Sequence, residues 1–151
     1  MKRSFLFVLG ASLVLGACSK SKTTQKEMDN LKDSAMLGDW TVSKMIDSGD
    51  DETSNFQGYI FSFNEDGTLV ATNNVNTYNG TWSVTSSDSG SDDDSSDDSD
   101  IDFNIAFNVP ESNDFDDLID DWDVLSHSDN KIELQDISGG NGGTDLLTFT
   151  R

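Results

Sequence analysis

Very little of this 151-residue chain is cysteine, histidine, proline or base. The single cysteine, Cys18, excludes an internal disulfide and any cysteine-based zinc site. The single histidine, His127, excludes a multi-histidine metal centre within one chain. Nine lysines and arginines stand against 29 acids, for a net charge of −20. Only Lys44, Lys131 and Arg151 are basic beyond residue 36. Such a surface repels phosphate backbones, so nucleic acid is excluded as a partner. Beyond residue 17 there is no long apolar run.

The first 17 residues do hold one. Lys2 and Arg3 precede SFLFVLGASLVLG (Ser4 to Gly16), which is too short to span a bilayer as a mature helix. This is the make-up of a signal peptide, 1–17, and it ends in LGAC, Leu15 to Cys18. A small-residue cleavage site directly before a cysteine resembles the bacterial lipobox. That resemblance implies that Cys18 is the lipid-attachment residue and the first residue of the mature lipoprotein. The expected location is the bacterial cell envelope, with the outer membrane as the bilayer, and several acyl chains would hold the protein there firmly. Residues 18–36, polar and free of aromatics, read as a tether that turns helical near its end. Its lysines can lie against anionic headgroups.

Residues 37–151 are enough for one domain with a core. Their hydrophobic period is two. Trp40, Val42 and Ile46 fall on one side of the first run; Tyr59, Phe61 and Phe63 share a face in the second. Asp66-Gly67 marks a hairpin, and Asn79-Gly80 a second turn leading into Trp82 and Val84. IDFNIAFNV aligns Ile101, Phe103, Ile105, Phe107 and Val109, and Pro110 stops it. Phe115, Leu118, Ile119 and Trp122 then recur at helical spacing, predicting a short amphipathic helix with Ser112 or Asn113 as its cap. Three further strands complete a count of eight. The expected fold is all-β, a small antiparallel up-and-down barrel with one short helix.

The order LGDW, YIFSFNEDGT, NGTWSV, WDVLS with KIEL, and a closing LLTF resembles the lipocalin-like domains of small Bacteroidetes-type lipoproteins, and in particular short flavobacterial ones. The resemblance covers roughly residues 37–151 and implies a calycin-type barrel without catalytic residues. The domain is short for a roomy lipocalin cup.

Four features compete for function. Residues 86–100 comprise seven Asp, seven Ser and one Gly, with no apolar side chain to offset the entropy of ordering them. They read as a disordered acidic loop that condenses divalent cations weakly, because no calcium-loop register is present. The glycine loop beginning at Ser138 differs by one residue from a calcium-binding nonapeptide, but it occurs once, so a hairpin loop is favoured. Asp136 and Asp145 at its two ends are the weak calcium candidates; no metal site or cofactor is otherwise expected. Ser126, His127 and Asp129 are neighbours in a turn, which is not the convergence that nucleophilic catalysis requires. The carboxylates Asp114, Asp116, Asp117, Asp120, Asp121 and Asp123 read as the solvated face of the helix, so no enzyme is expected. That leaves the apolar residues. Trp40, Phe61, Phe63, Trp82, Phe103, Trp122 and Phe149 would line either a pocket for a small apolar ligand or a filled core, and an aromatic stripe alone does not separate the two.

Overall fold

The computed structural model describes residues 18–86, 101–137 and 143–151, with side chains from residue 22 onward. The signal peptide, the acidic run from Ser87 to Asp100 and most of the glycine loop lie outside the described residues.

Strand alternation produces a closed antiparallel barrel. Its strands are β1 (Asp39–Asp47), β3 (Ile60–Phe63), β4 (Thr68–Thr72), β5 (Thr77–Ser86), β6 (Ile101–Phe107), β7 (Asp120–Ser128), β8 (Lys131–Ile137) and β9 (Thr144–Thr150). Each pairs with the next, and β9 closes onto β1 through Thr41↔Thr150 to Ile46↔Leu146. Closure leaves no long exposed edge. The two-residue β2 (Asp50–Asp51) is an extra arm on β1. The seam between β1 and β3 is short, with only Asp39↔Ser62 and Trp40↔Phe61 paired. Further along, Thr53 stands in for the missing strand. Its Oγ1 accepts the Met45 N–H at 2.9 Å, and Glu52 N–H donates to the Met45 carbonyl at 3.0 Å.

Parity holds where strands are regular and fails at two bulges. On β6, Phe103, Ile105 and Phe107 are buried, and Ile101 and Val109 pack against the core. On β1 a bulge between Val42 and Lys44 shifts the alternation by one residue. Met45 is therefore buried, where Ile46 was expected. A bulge between Val124 and Ser126 leaves Leu125 half exposed on the outer face of β7.

The Asp66-Gly67 hairpin forms. Gly67 takes φ +81°, and Asp66 Oδ1 accepts from Thr68 N–H at 3.0 Å and Thr68 Oγ1 at 2.6 Å. Asn79-Gly80 is not a turn. Both residues lie within β5, and the turn falls at residues 73–76, where Asn74 has φ +67° and Asn73 Oδ1 accepts from Val75 and Asn76 N–H. Gly80 serves close packing instead: a Cβ there would sit 2.3 Å from the Ala106 carbonyl oxygen and 2.8 Å from the Phe107 ring.

The helix expected from Phe115 to Trp122 is absent. Only a 3-10 turn, Asp116–Leu118, forms, and Trp122 belongs to β7. Aspartates are poor helix formers, and four fall within this stretch. The backbone from Asp120 gains a ladder on β6 instead, through Ile105↔Asp120 to Asp102↔Asp123.

The one α-helix among the described residues, α1 (Cys18–Ala35), occupies the stretch expected to be a tether. Residues 18–36 contain no Gly or Pro and several strong helix formers. Leu31 and Ala35 are completely buried, and Met28 packs against the same core. The folded domain therefore begins before residue 37. Trp40 Nε1 donates to the Ala35 carbonyl at 2.8 Å, and Arg151 Nη1 to the Leu37 carbonyl at 2.7 Å, pinning the helix to both ends of the barrel chain.

Candidate functional site

The seven aromatic residues expected to line a core or a pocket all come together, and each is at least nine-tenths buried. Five of them, Phe61, Phe63, Trp82, Phe103 and Phe149, touch one another. Phe63 contacts Trp82 and Phe103 at 5.3 Å between centroids and Phe149 at 5.4 Å. Phe61 meets Phe149 at 5.3 Å, and Trp82 meets Phe103 at 5.6 Å. Edge-to-face pairs at these distances are attractive packing arrangements. The three indole N–H groups are committed to backbone carbonyls, Trp40 to Ala35, Trp82 to Asn64 at 2.9 Å, and Trp122 to Leu118 at 3.1 Å. None is left to read a ligand.

Both ends of the barrel carry a cover. At one end, where β1 starts and β7 finishes, Leu31 and Ala35 of α1 close over the core. At the other, Phe115 is the central ring of a second cluster. It stacks on Tyr78 at 4.1 Å and meets Tyr59, Phe107 and Phe56 at 4.9, 5.1 and 5.5 Å. Leu118 beside it is fully buried. Sequence reasoning placed Phe115 on a helix stripe and did not single out Phe56. The recoverable signal is that each is a lone aromatic in an otherwise polar connection. The α1 cover also had a signal, the spacing Met28, Leu31, Ala35.

The far end is ringed with acid. Asp47, Asp145, Asp136 and Asp120 lie at the ends of the adjoining strands β1, β9, β8 and β7. Asp136 and Asp145 are direct partners across β8 and β9. Asp145 is already used: its Oδ1 accepts the Ser48 N–H at 2.7 Å, holding a turn in which Ser48 and Gly49 have positive φ. Among the described residues no group of three or more His, Cys, Asp or Glu side chains is arranged to hold a metal ion.

Asp120 is not on a solvated helix face. Strand parity places it on the same side as Trp122, and it is partly buried. Burial pushes its carboxyl up to about 6, helped by the hydrogen-bonding side chain of Asp121 and the charges of Asp136 and Asp121. Asp117 is also raised, first by burial and then by Asp47, Asp114, Glu52 and Asp116. A raised carboxyl suits acid–base chemistry only beside a cleft that holds a substrate. The adjoining cleft, about 440 Å³, lies over the outer face of β5, β6 and β7, and no histidine, lysine or arginine lines it.

Ser126, His127 and Asp129 do not converge. Ser126 Oγ donates to Glu133 Oε2 at 2.6 Å, whereas His127 turns toward α1, its Nε2 3.9 Å from Glu27 Oε2. No protein-family model matches the chain, and neither a curated protein nor a solved structure does.

Proposed function

We propose that this chain is a lipid-anchored lipoprotein of the bacterial cell envelope whose barrel is a filled, non-catalytic scaffold acting through its surface. The reading joins a Cys18 anchor, carried by the LGAC motif, to the interlocked rings inside the barrel. The ring contacts are the observation that favours a structural or protein-interaction role over a cup for a small apolar ligand. A ligand the size of a fatty acid would have to displace Phe63 or Phe115 and forfeit the contacts of that ring. The motif order resembles that of flavobacterial lipocalin-like lipoproteins, which is consistent with this assignment.

The test is titration of the folded protein with an environment-sensitive apolar dye. No saturable fluorescence gain is the expected result; saturable, stoichiometric binding displaced by a fatty acid would restore the cup. Cys18→Ala should release the protein from membranes, and continued flotation with vesicles would remove the anchor from the proposal.

A further inference from the structure

A titratable ring sits on the inner side of the barrel wall, beneath α1. The bulge between Val124 and Ser126 resets the alternation of β7, so His127 pairs with the buried Ile132 and turns inward, while Ser126 faces out with Glu133. The helix then covers it. One cleft between α1 and the barrel, about 490 Å³, brings Glu27 together with Ile101, Val124 and Leu125. A second, about 440 Å³, is lined by Asp33 of α1 and by Asp129 of the turn after β7. His127 is the one residue that lines both. The charged groups facing it are therefore Glu27, Asp33 and Asp129, and among the described residues no lysine or arginine lines either cleft. Arg151 is committed to the Leu37 carbonyl and Lys131 to Glu133. Asp102 and Asp123 alternate with inward residues and so stand on the outer face of β6 and β7.

The two ring nitrogens are in different situations. Nε2 lies 3.9 Å from Glu27 Oε2, beyond hydrogen-bond length, and Glu27 is half exposed. Nδ1 is buried, and among the described residues it is the one buried side-chain nitrogen or oxygen without a hydrogen-bond partner. A neutral imidazole carries a single N–H, here on Nε2, and leaves Nδ1 a bare acceptor. An imidazolium must put a second N–H on Nδ1, where no acceptor stands. A buried donor left unpaired costs more than an exposed, screened ion pair returns. We propose that His127 is an acid-sensitive latch: its protonation lifts the first half of α1, up to Met28, away from β7. Leu31 and Ala35, both fully buried, keep the second half seated. Lifting gives Nδ1 access to water and uncovers Ile101 and Val124 beside the half-exposed Leu125, an apolar strip on the side of the barrel. The latch extends the surface role proposed above and is independent of the Cys18 anchor.

Methyl NMR of the full-length protein, labelled with carbon-13 at its methionine methyls, tests this. Met28 packs against the core from the first half of α1, and the fully buried Met45 on β1 serves as the internal reference. Between about pH 8 and about pH 5, the range over which histidines change charge, the Met28 signal should move toward the position of a solvent-exposed methionine while Met45 stays in place. His127→Phe should keep Met28 docked at both pH values, and His127→Lys, a permanent cation, should release it at both. If a displaced Met45 signal shows that phenylalanine disturbs the core, His127→Gln, neutral throughout, takes its place. Asp120, whose carboxyl is pushed up to about 6, titrates in the same range at the other end of the barrel. The Met28 transition should therefore survive in Asp120→Asn. A Met28 signal that does not move, that moves equally without the imidazole, or that depends on Asp120 overturns the latch. So does joint displacement of Met45 in the parent protein, which would mean that acid opens the whole barrel.

Discussion

Trp82, Gly80 and Asp120 show how differently single positions bear on this barrel. The Trp82 ring was legible as core from its parity with Val84, and the structure agrees. Gly80 was misread as a turn residue because an Asn-Gly pair usually marks one. Its real constraint is the approach of the β6 backbone, which no local pattern encodes. Gly80→Ala should therefore cost about 1–3 kcal/mol through overpacking, measured by denaturant unfolding. Asp120 raises a question of sign. Its folded-state pKa, about 6, lies above the ordinary 3.8, so the native state holds the proton more tightly than the unfolded chain. Stability from this group is present below about pH 4 and is lost as pH rises through about 6. Asp120→Asn should raise stability by about 1 kcal/mol at pH 7, allowing for partial solvent screening, and the gain should vanish near pH 4. Asp66 works in the opposite direction. The Thr68 hydroxyl and then its N–H hold it below the ordinary value, so its contribution is lost on acidification.

Among the elements, β6 and the Asp66-Gly67 hairpin could be read because their determinants are local: alternation in one, a positive-φ glycine in the other. The stretch from Phe115 to Trp122 could not. Its apolar residues fit a helical period, and Trp122 also fits a strand period with Val124. The choice falls to β6, which offers Asp120 a hydrogen-bonded partner that isolated sequence does not contain. The bulge in β1 is similar: replacing Ile46 by Met45 in the core depends on the register with β9. α1 was underestimated because its apolar stripe is sparse and polar residues surround it. Leu31→Ala should cost about 2–5 kcal/mol, a core-sized loss that a mere tether residue would not show in a thermal melt. A change of a few tenths would return α1 to the status of a leash.

At the scale of the whole molecule, the barrel carries acid on its outside and at both ends, with few bases to pair. The net charge of −20 disfavours the compact state by self-repulsion. Raising monovalent salt from low to physiological strength should therefore increase the melting temperature. A fall would mean that specific ion pairs, such as Lys131 with Glu133, outweigh the general repulsion. Strand class, the presence of a barrel and six of the seven central rings were readable from period-two alternation, because alternation needs only neighbours along the chain; Trp122 was read on a helical stripe instead. Whether those rings form a cup or a solid core was not. That depended on the ends, where Phe56, Phe115, Leu31 and Ala35 arrive from segments whose own composition is polar. A lone apolar residue in a polar connection has no period to announce its face; only the closed barrel supplies the surface that buries it.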